Sequence, residues 1–211
     1  MGRHQPWALL PQGSHQPPRG SSSSGGQHSY VFAHAYTPAS IERCSRLGVR
    51  SIEHGNQLDE SSATTMARHG TFLSQTIITY AALKDSGAAN GMPQSLLDKV
   101  GSLVEEGVGA VRIAQRHGVR VTYGSDLLGS ARTRQLEGFG YLLDAGLSPL
   151  EALATATSAA ADLVGLAAGA IEAGRLADLV LLRCDPLDPH RLRALAPTDV
   201  EAVWVGARKV V

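Results

Sequence analysis

Short strand-like runs alternate with helix-like stretches along the greater part of this chain. The strand-like runs are rich in apolar or β-branched residues, and they span residues 30–34, 49–54, 71–78 and 119–125. Glycines end several of the helix-like stretches, as at Gly48, Gly70 and Gly118, because a left-handed residue commonly terminates a helix. Strands and helices that alternate through short glycine-ended turns are typical of βα units around a parallel sheet. The pattern therefore predicts an α/β fold.

The stretches between these strands carry start and stop signals for helices. The predicted helices span residues 37–47, 59–69, 93–117 and 148–164. Gly107 and Gly109 lie within the third helix, and we expect an interruption there because glycine is a poor helix former. The fourth has the clearest start, because Ser148, Pro149 and Glu151 supply an N-cap, a first-turn proline and the glutamate of a capping box.

Composition divides the chain into three parts. Residues 1–29 contain four prolines, a run of four serines and no amphipathic period, so they cannot bury enough apolar surface to offset the entropy of ordering. We expect this head to be disordered and of low complexity. After Gly169, two further strand-like segments at 174–182 and 202–211 predict a small β extension. The expected domains are residues 1–29, 30–168 and 169–211.

Several classes of function are disfavoured by the sequence. The formal net charge is +0 and the isoelectric point is about 7.1, which argues against a nucleic acid or an anionic membrane as a partner. No apolar run approaches the ~20 residues that span a bilayer. The start also lacks the apolar run of a signal peptide, so we expect a cytoplasmic protein. The sequence has no G-x-S-x-G elbow, phosphate-binding loop or G-x-G-x-x-G turn.

Three side chains that can bind a metal stand at the ends of predicted strands. They are His34, His54 and Asp126. Because the carboxyl ends of parallel strands meet at one edge of a sheet, we expect the three side chains on the same rim. Two imidazoles and a carboxylate suit Zn²⁺. The spacing alone leaves open a purely structural role, since a histidine at a strand end and an aspartate in a turn are common without any ligand.

Four segments of the sequence resemble the amidohydrolase superfamily, especially its imidazolonepropionase-like and Xaa-Pro dipeptidase-like branch. AHAYTPASIERCSRLGVRSIEHG is similar to the region of the fifth and sixth barrel strands, and TYGSDLLG to the motif of the eighth strand. LSPLEALATATSAAADLVGL and GAIEAGRLADLVLLRCDPL resemble the last barrel helix and the return to a β-sandwich. The resemblance covers residues 30–211. It implies the C-terminal part of a (β/α)₈ barrel, strands five to eight, followed by a partial β-sandwich extension.

The resemblance also implies roles for particular residues. His34 and His54 match the metal ligands of strands five and six. Asp126 matches the aspartate of strand eight, which binds metal and takes a proton from the attacking water. Tyr80 resembles a residue near the substrate in some relatives. The implied cofactor is one or two divalent metal ions, with Zn²⁺ expected, and the implied reaction is hydrolysis of a C–N bond in an amide or small peptide by metal-activated water.

The sequence departs from the family pattern in two respects. It has neither the His-x-His pair of strand one nor the strand-four lysine that bridges two metals, both of which belong to the other half of the barrel. An alternative hypothesis is therefore a truncated, catalytically inactive fragment or a pseudoenzyme. The expected partners are a small amide or peptide substrate, together with a second copy of the chain or a separate N-terminal half-barrel. No nucleic acid or membrane is expected.

Overall fold

The computed structural model describes residues 30–89 and 91–211. Four parallel strands form its first sheet, in the order β1-β2-β3-β4. These strands are β1 (Phe32–Ala35), β2 (Ser51–His54), β3 (Phe72–Gln75) and β4 (Val121–Tyr123). Sequential parallel strands joined by helical connections confirm the α/β prediction. The disorder predicted for residues 1–29 lies outside the described residues.

Helices follow each of these strands and complete the first part of the molecule. They are α1 (Pro38–Arg46), α2 (Glu60–His69), α3 (Ile77–Ala89), α4 (Gln94–Arg116), α5 (Gly138–Asp144), α6 (Pro149–Ala156) and α7 (Ser158–Val164). A 3₁₀ segment at Gly129–Glu137 precedes α5. Among the described residues, none of the helices combines the length and apolar character needed to cross a bilayer.

A second sheet of antiparallel strands follows. Its strands are β5 (Leu179–Leu182), β6 (Val200–Val205) and β7 (Arg208–Lys209), in the order β5-β6-β7. A short helix α8 (Pro189–Arg193) lies between β5 and β6. Leu192 and Leu195 from this connection are buried in the same apolar core as Ile52 and Leu142. The C-terminal segment thus packs on the parallel-sheet part through a continuous core.

Side-chain caps fix the predicted ends of the first helices. The Thr37 hydroxyl accepts a hydrogen bond from the backbone N–H of Ser40 at the start of α1. Asp59 and Ser62 form a reciprocal capping box at the start of α2, and Gly70 ends that helix at φ 67°. These interactions are local in sequence, which is why the helix boundaries were predictable from the chain alone.

Three details of the predicted elements were wrong. The strand expected at 71–78 ends at Gln75, and Ile77 begins α3. Helix α4 runs without interruption through Gly107 and Gly109. The helix expected at 148–164 divides at Thr157, whose φ of −123° and ψ of −94° break the regular backbone.

The continuity of α4 has a packing explanation at Gly107. A Cβ added there would lie 2.9 Å from Cγ1 of Ile77, 3.2 Å from Nδ2 of Asn56 and 3.3 Å from Nε2 of Gln75. The side-chain amide of Gln75 donates a hydrogen bond to the Gly107 carbonyl at 3.1 Å. Glycine therefore lets α4 approach β3 closely, and the tertiary contact outweighs the weak helix propensity that the sequence shows.

Candidate functional site

His34 and His54 meet at the carboxyl ends of two neighbouring strands. His34 lies near the end of β1 and His54 is the last residue of β2, where it pairs with Ala35. Nδ1 of His34 and Nε2 of His54 are 2.8 Å apart, and the ring centroids are 5.0 Å apart. His54 is buried whereas His34 is exposed. The expectation that these two histidines share one rim therefore agrees with their geometry.

The other ring nitrogen of His54 faces the protein interior. Its Nδ1 is 2.7 Å from the Oγ1 of Thr76, the residue between β3 and α3. The phenol ring of Tyr36 stacks on the His54 ring at 4.9 Å with an interplanar angle of 10°. The Tyr80 ring approaches edge-on, 6.2 Å away. Contacts with two tyrosine rings and at both nitrogens therefore hold the His54 imidazole in one orientation.

Asp126 lies on the loop that follows β4. Its side chain is exposed, and its backbone carbonyl accepts a hydrogen bond from Oγ1 of Thr79 at 3.0 Å. The negative charge of Asp126 acts to raise the pKa of His54, against the larger effect of burial. His34, His54 and Asp126 thus lie at or shortly after the carboxyl ends of strands of the parallel sheet.

Two of these site residues have unusual backbone conformations. Among the described residues, the non-glycine residues with positive φ are His54 at 73°, Asp126 at 49° and Ala207 at 65°. Residues other than glycine rarely adopt this region, and the strain costs of order 1–3 kcal/mol unless surrounding structure enforces it. Such strain clusters at functional sites. His54 and Asp126 share this conformation with Ala207, which lies in the turn between β6 and β7.

The electrostatic environment keeps His54 neutral near pH 7. Burial, the largest cause, lowers the pKa of His54 below its ordinary value of 6.5. Asp126 and Glu53 act against this shift, while His34 adds to it. A neutral imidazole has a lone pair available for a metal ion, whereas an imidazolium has none.

Tyr36 and Tyr80 form a phenol pair beside the histidines. The Tyr80 hydroxyl donates to the Tyr36 hydroxyl at 3.2 Å. Burial raises the pKa of Tyr80 well above its ordinary value, so the phenol stays neutral. The sequence analysis named Tyr80 but did not name Tyr36. The position of Tyr36, two residues after His34, could have indicated it, because alternate residues of an extended segment lie on the same face.

The imidazole nitrogens of His34 and His54 are the groups on this rim that could hold a metal ion. No three His, Cys, Asp or Glu side chains within residues 30–89 and 91–211 gather closely enough to hold a metal. Nδ1 of His34 and Nε2 of His54 nevertheless face each other at 2.8 Å, and neutral imidazole nitrogens are the ligands that a zinc ion would take here.

The four parallel strands and their helices are consistent with part of a βα barrel, and the two histidines lie at the carboxyl ends of its strands. The chain matches the amidohydrolase family over residues 27–210 and therefore belongs to that family. A search of curated proteins gave no match.

Solved structures agree with the family assignment. A crystal structure of an amidohydrolase is 36% identical, with a TM-score of 0.79, and the match covers 87% of this chain and 45% of that chain. A prolidase complexed with N-methylphosphonate-L-proline is 41% identical, with a TM-score of 0.78 and coverage of 86% and 45%. A Xaa-Pro dipeptidase with bound methionine in the active site is 26% identical, with a TM-score of 0.73 and coverage of 85% and 44%. The chain spans less than half the length of these structures.

Proposed function

We propose that this chain carries part of the active site of a metal-dependent hydrolase that cleaves the C–N bond of an amide or small peptide. The main support is the contact between Nδ1 of His34 and Nε2 of His54 at the ends of adjacent parallel strands. His34, His54 and Asp126 would hold the metal ion, for which Zn²⁺ is the proposed identity. When bound, such an ion polarises a carbonyl group and lowers the pKa of water.

The protein groups have separable tasks in this proposal. The neutral His54 ring is fixed by Tyr36 and Thr76, so it presents Nε2 to the rim. Asp126 is the carboxylate that accepts a proton from the attacking water, and its exposure leaves it accessible to solvent and substrate. The neutral Tyr80 phenol lies beside His54, with 6.2 Å between the ring centroids, and would contact the substrate from the side of α3.

A dipeptide with proline at its C-terminal position is the proposed substrate. The support is the similarity to structures described as a prolidase and as a Xaa-Pro dipeptidase. Tyr36 and Tyr80 add an aromatic wall beside the histidines, and aromatic faces offer large apolar contact areas for a ring such as that of proline.

A second candidate function is metal binding without turnover. Its support is that the sequence lacks the His-x-His pair and the bridging lysine of the family while His34 and His54 still meet, together with the coverage of less than half of the related structures. The protein would then be a fragment or pseudoenzyme that retains the histidine rim.

Removal of the metal separates the two candidates. The purified chain is loaded with Zn²⁺, and hydrolysis of methionyl-proline is followed before chelation, after chelation and after Zn²⁺ is restored. We expect about one Zn²⁺ per chain and hydrolysis that is lost and regained with the metal. The Asp126→Asn variant controls for contaminating peptidases, and its rate should fall on the order of 10²–10⁴-fold. Bound Zn²⁺ without hydrolysis supports the second candidate, whereas no stoichiometric Zn²⁺ contradicts both.

We also propose that association covers the free edges of the parallel sheet. Among the described residues, β1 and β4 each pair on one side only, and Val31 and Phe32 are exposed beside the outer edge of β1. Unpaired edges with apolar neighbours favour association. A second copy or a chain with the N-terminal half of the barrel would fit, and size-exclusion chromatography with and without cell lysate separates these partners.

We further propose that the chain is divided into residues 1–29, 30–168 and 169–211. A cytoplasmic location is also proposed.

A further inference from the structure

Asp126 lies between two points at which neighbouring elements hold the chain. Before it, the backbone N–H of Gly124 donates to the carbonyl of Gln75 at 2.9 Å, which continues the pairing of β4 with β3. After it, the side chain of Leu127 is buried in an apolar cluster with residues of α3. These residues are Ile78, Ala81 and Ala82. The path of the backbone through Asp126 is therefore anchored on both sides.

Thr79 contacts the backbone of Asp126 itself. It lies in the first turn of α3, which begins at Ile77. Its Oγ1 donates a hydrogen bond to the carbonyl of Asp126 at 3.0 Å. The direction of this bond is unambiguous, because a backbone carbonyl can only accept. Together with the buried side chain of Leu127, the bond holds the peptide group between Asp126 and Leu127 against α3.

This peptide group matters because Asp126 has a φ of 49°, a conformation that persists in a residue other than glycine only where surrounding structure enforces it. The φ angle sets the direction of the Cα–Cβ bond relative to the preceding chain, so a change to the ordinary right-handed region would turn the carboxylate away from its present position. The net stabilisation by one hydrogen bond is similar in size to the cost of a left-handed backbone. Loss of the Thr79 hydroxyl is therefore enough to change which conformation is populated.

We propose that Thr79 is a positioning residue that keeps the backbone of Asp126 left-handed and so sets the direction of its carboxylate after the carboxyl end of β4. The conformation of Asp126 is a property of the metal-free chain, and only its consequence for metal affinity rests on the proposed function. Tyr80 follows Thr79 in the same turn of α3. One helical turn thus positions both the proposed proton acceptor and the proposed substrate contact.

The backbone conformation of Asp126 is measurable in the metal-free chain by NMR, from its one-bond Cα–Hα coupling and its Cα chemical shift, which distinguish positive from negative φ. In the wild type we expect the left-handed values. Thr79→Val keeps the shape of the side chain but removes the donor, and Thr79→Ala removes the donor while introducing a better helix former. Both variants should lose the left-handed values at Asp126, whereas Thr79→Ser keeps the hydroxyl and should retain them.

Thr64 offers a matched control for the same substitution. Its Oγ1 also donates to a backbone carbonyl, that of Glu60 in the same helix α2, at 2.8 Å. Thr64→Val therefore removes a hydroxyl-to-carbonyl hydrogen bond from a helix without changing a contact of Asp126, and the left-handed values should be retained. The dispersion of the same spectra shows whether each variant is folded. Loss of the left-handed values in Thr64→Val as well as in Thr79→Val would contradict a specific role for Thr79.

Zn²⁺ titration of the same variants gives the second readout. We expect the affinity to fall about tenfold in Thr79→Val and Thr79→Ala, the lower end of the usual effect for a residue that orients a metal ligand. Thr79→Ser and Thr64→Val should stay within about threefold of the wild type. A right-handed Asp126 in the wild type, or left-handed values retained in both Thr79→Val and Thr79→Ala, overturns the proposal. If the conformation changes with the hydroxyl while Zn²⁺ binding is absent or unaltered, the assignment of Asp126 as a metal ligand fails and the role of Thr79 stands.

Discussion

Replacement of His54 by asparagine is expected to lower the affinity for Zn²⁺ by about 100-fold or more, because the change removes one of three proposed ligands from a site whose binding energy depends on all of them. The fold should tolerate the change for two reasons. His54 has a φ of 73°, a conformation that asparagine adopts more readily than most residues. The amide group can also form a hydrogen bond with Oγ1 of Thr76, which lies 2.7 Å from Nδ1 of His54. Competition with a chromophoric chelator measures the affinity.

The control for this substitution is His69→Asn. His69 is exposed in the last turn of α2, which leads into the amino end of β3 and not to the carboxyl ends of the parallel strands. Replacement of His69 should leave the Zn²⁺ affinity within about twofold of the wild type. The unfolding temperatures of both variants are compared to show that each remains folded. If the wild type and His54→Asn bound Zn²⁺ with equal affinity, His54 would not be a metal ligand.

Replacement of Phe72 by alanine is expected to lower the free energy of unfolding by about 3–5 kcal/mol, the range for large-to-small changes in a packed interior. Phe72 begins β3 and is fully buried. Its ring lies between two guanidinium groups, with Cζ of Arg120 at 3.8 Å and Cζ of Arg50 at 5.8 Å from the centroid. The alanine variant loses the ring contacts and leaves a cavity. Urea denaturation followed by circular dichroism measures the change.

Phe72→Leu is the matched variant for this prediction. Leucine keeps most of the buried apolar volume but offers no aromatic face to the arginines. We expect a loss of about 1–2 kcal/mol, clearly smaller than that of alanine. A decrease in the free energy of unfolding below about 1 kcal/mol for Phe72→Ala would show that the packing of Phe72 contributes little to stability.

The elements that the sequence predicted well are those with local determinants. The ends of α1 and α2 follow from caps at Thr37 and Asp59, whose partners lie three residues away. The meeting of His34 and His54 was predictable because each lies at or near the end of a short strand, and parallel strands present their carboxyl ends at one edge.

The features that the sequence did not reveal depend on contacts between distant segments. The β-branched residues from Thr76 to Thr79 favour a strand locally, yet Ile77 and Ile78 are buried in α3. This misassignment concealed Thr76 and Thr79, whose hydroxyls contact His54 and the carbonyl of Asp126. Their partners lie 22 and 47 residues away in sequence, a separation at which periodicity carries no information.

X-ray absorption at the zinc edge of the Zn²⁺-loaded chain tests most directly whether the rim is a metal site. Two imidazole nitrogens at about 2.0–2.1 Å, together with oxygen ligands, should surround the metal. In a His34→Asn variant, one of the two imidazole contributions should disappear. A coordination shell that contains sulfur from the free thiols of Cys44 or Cys184, or one that the His34 variant leaves unchanged, would contradict the assignment of His34, His54 and Asp126 to a single metal site.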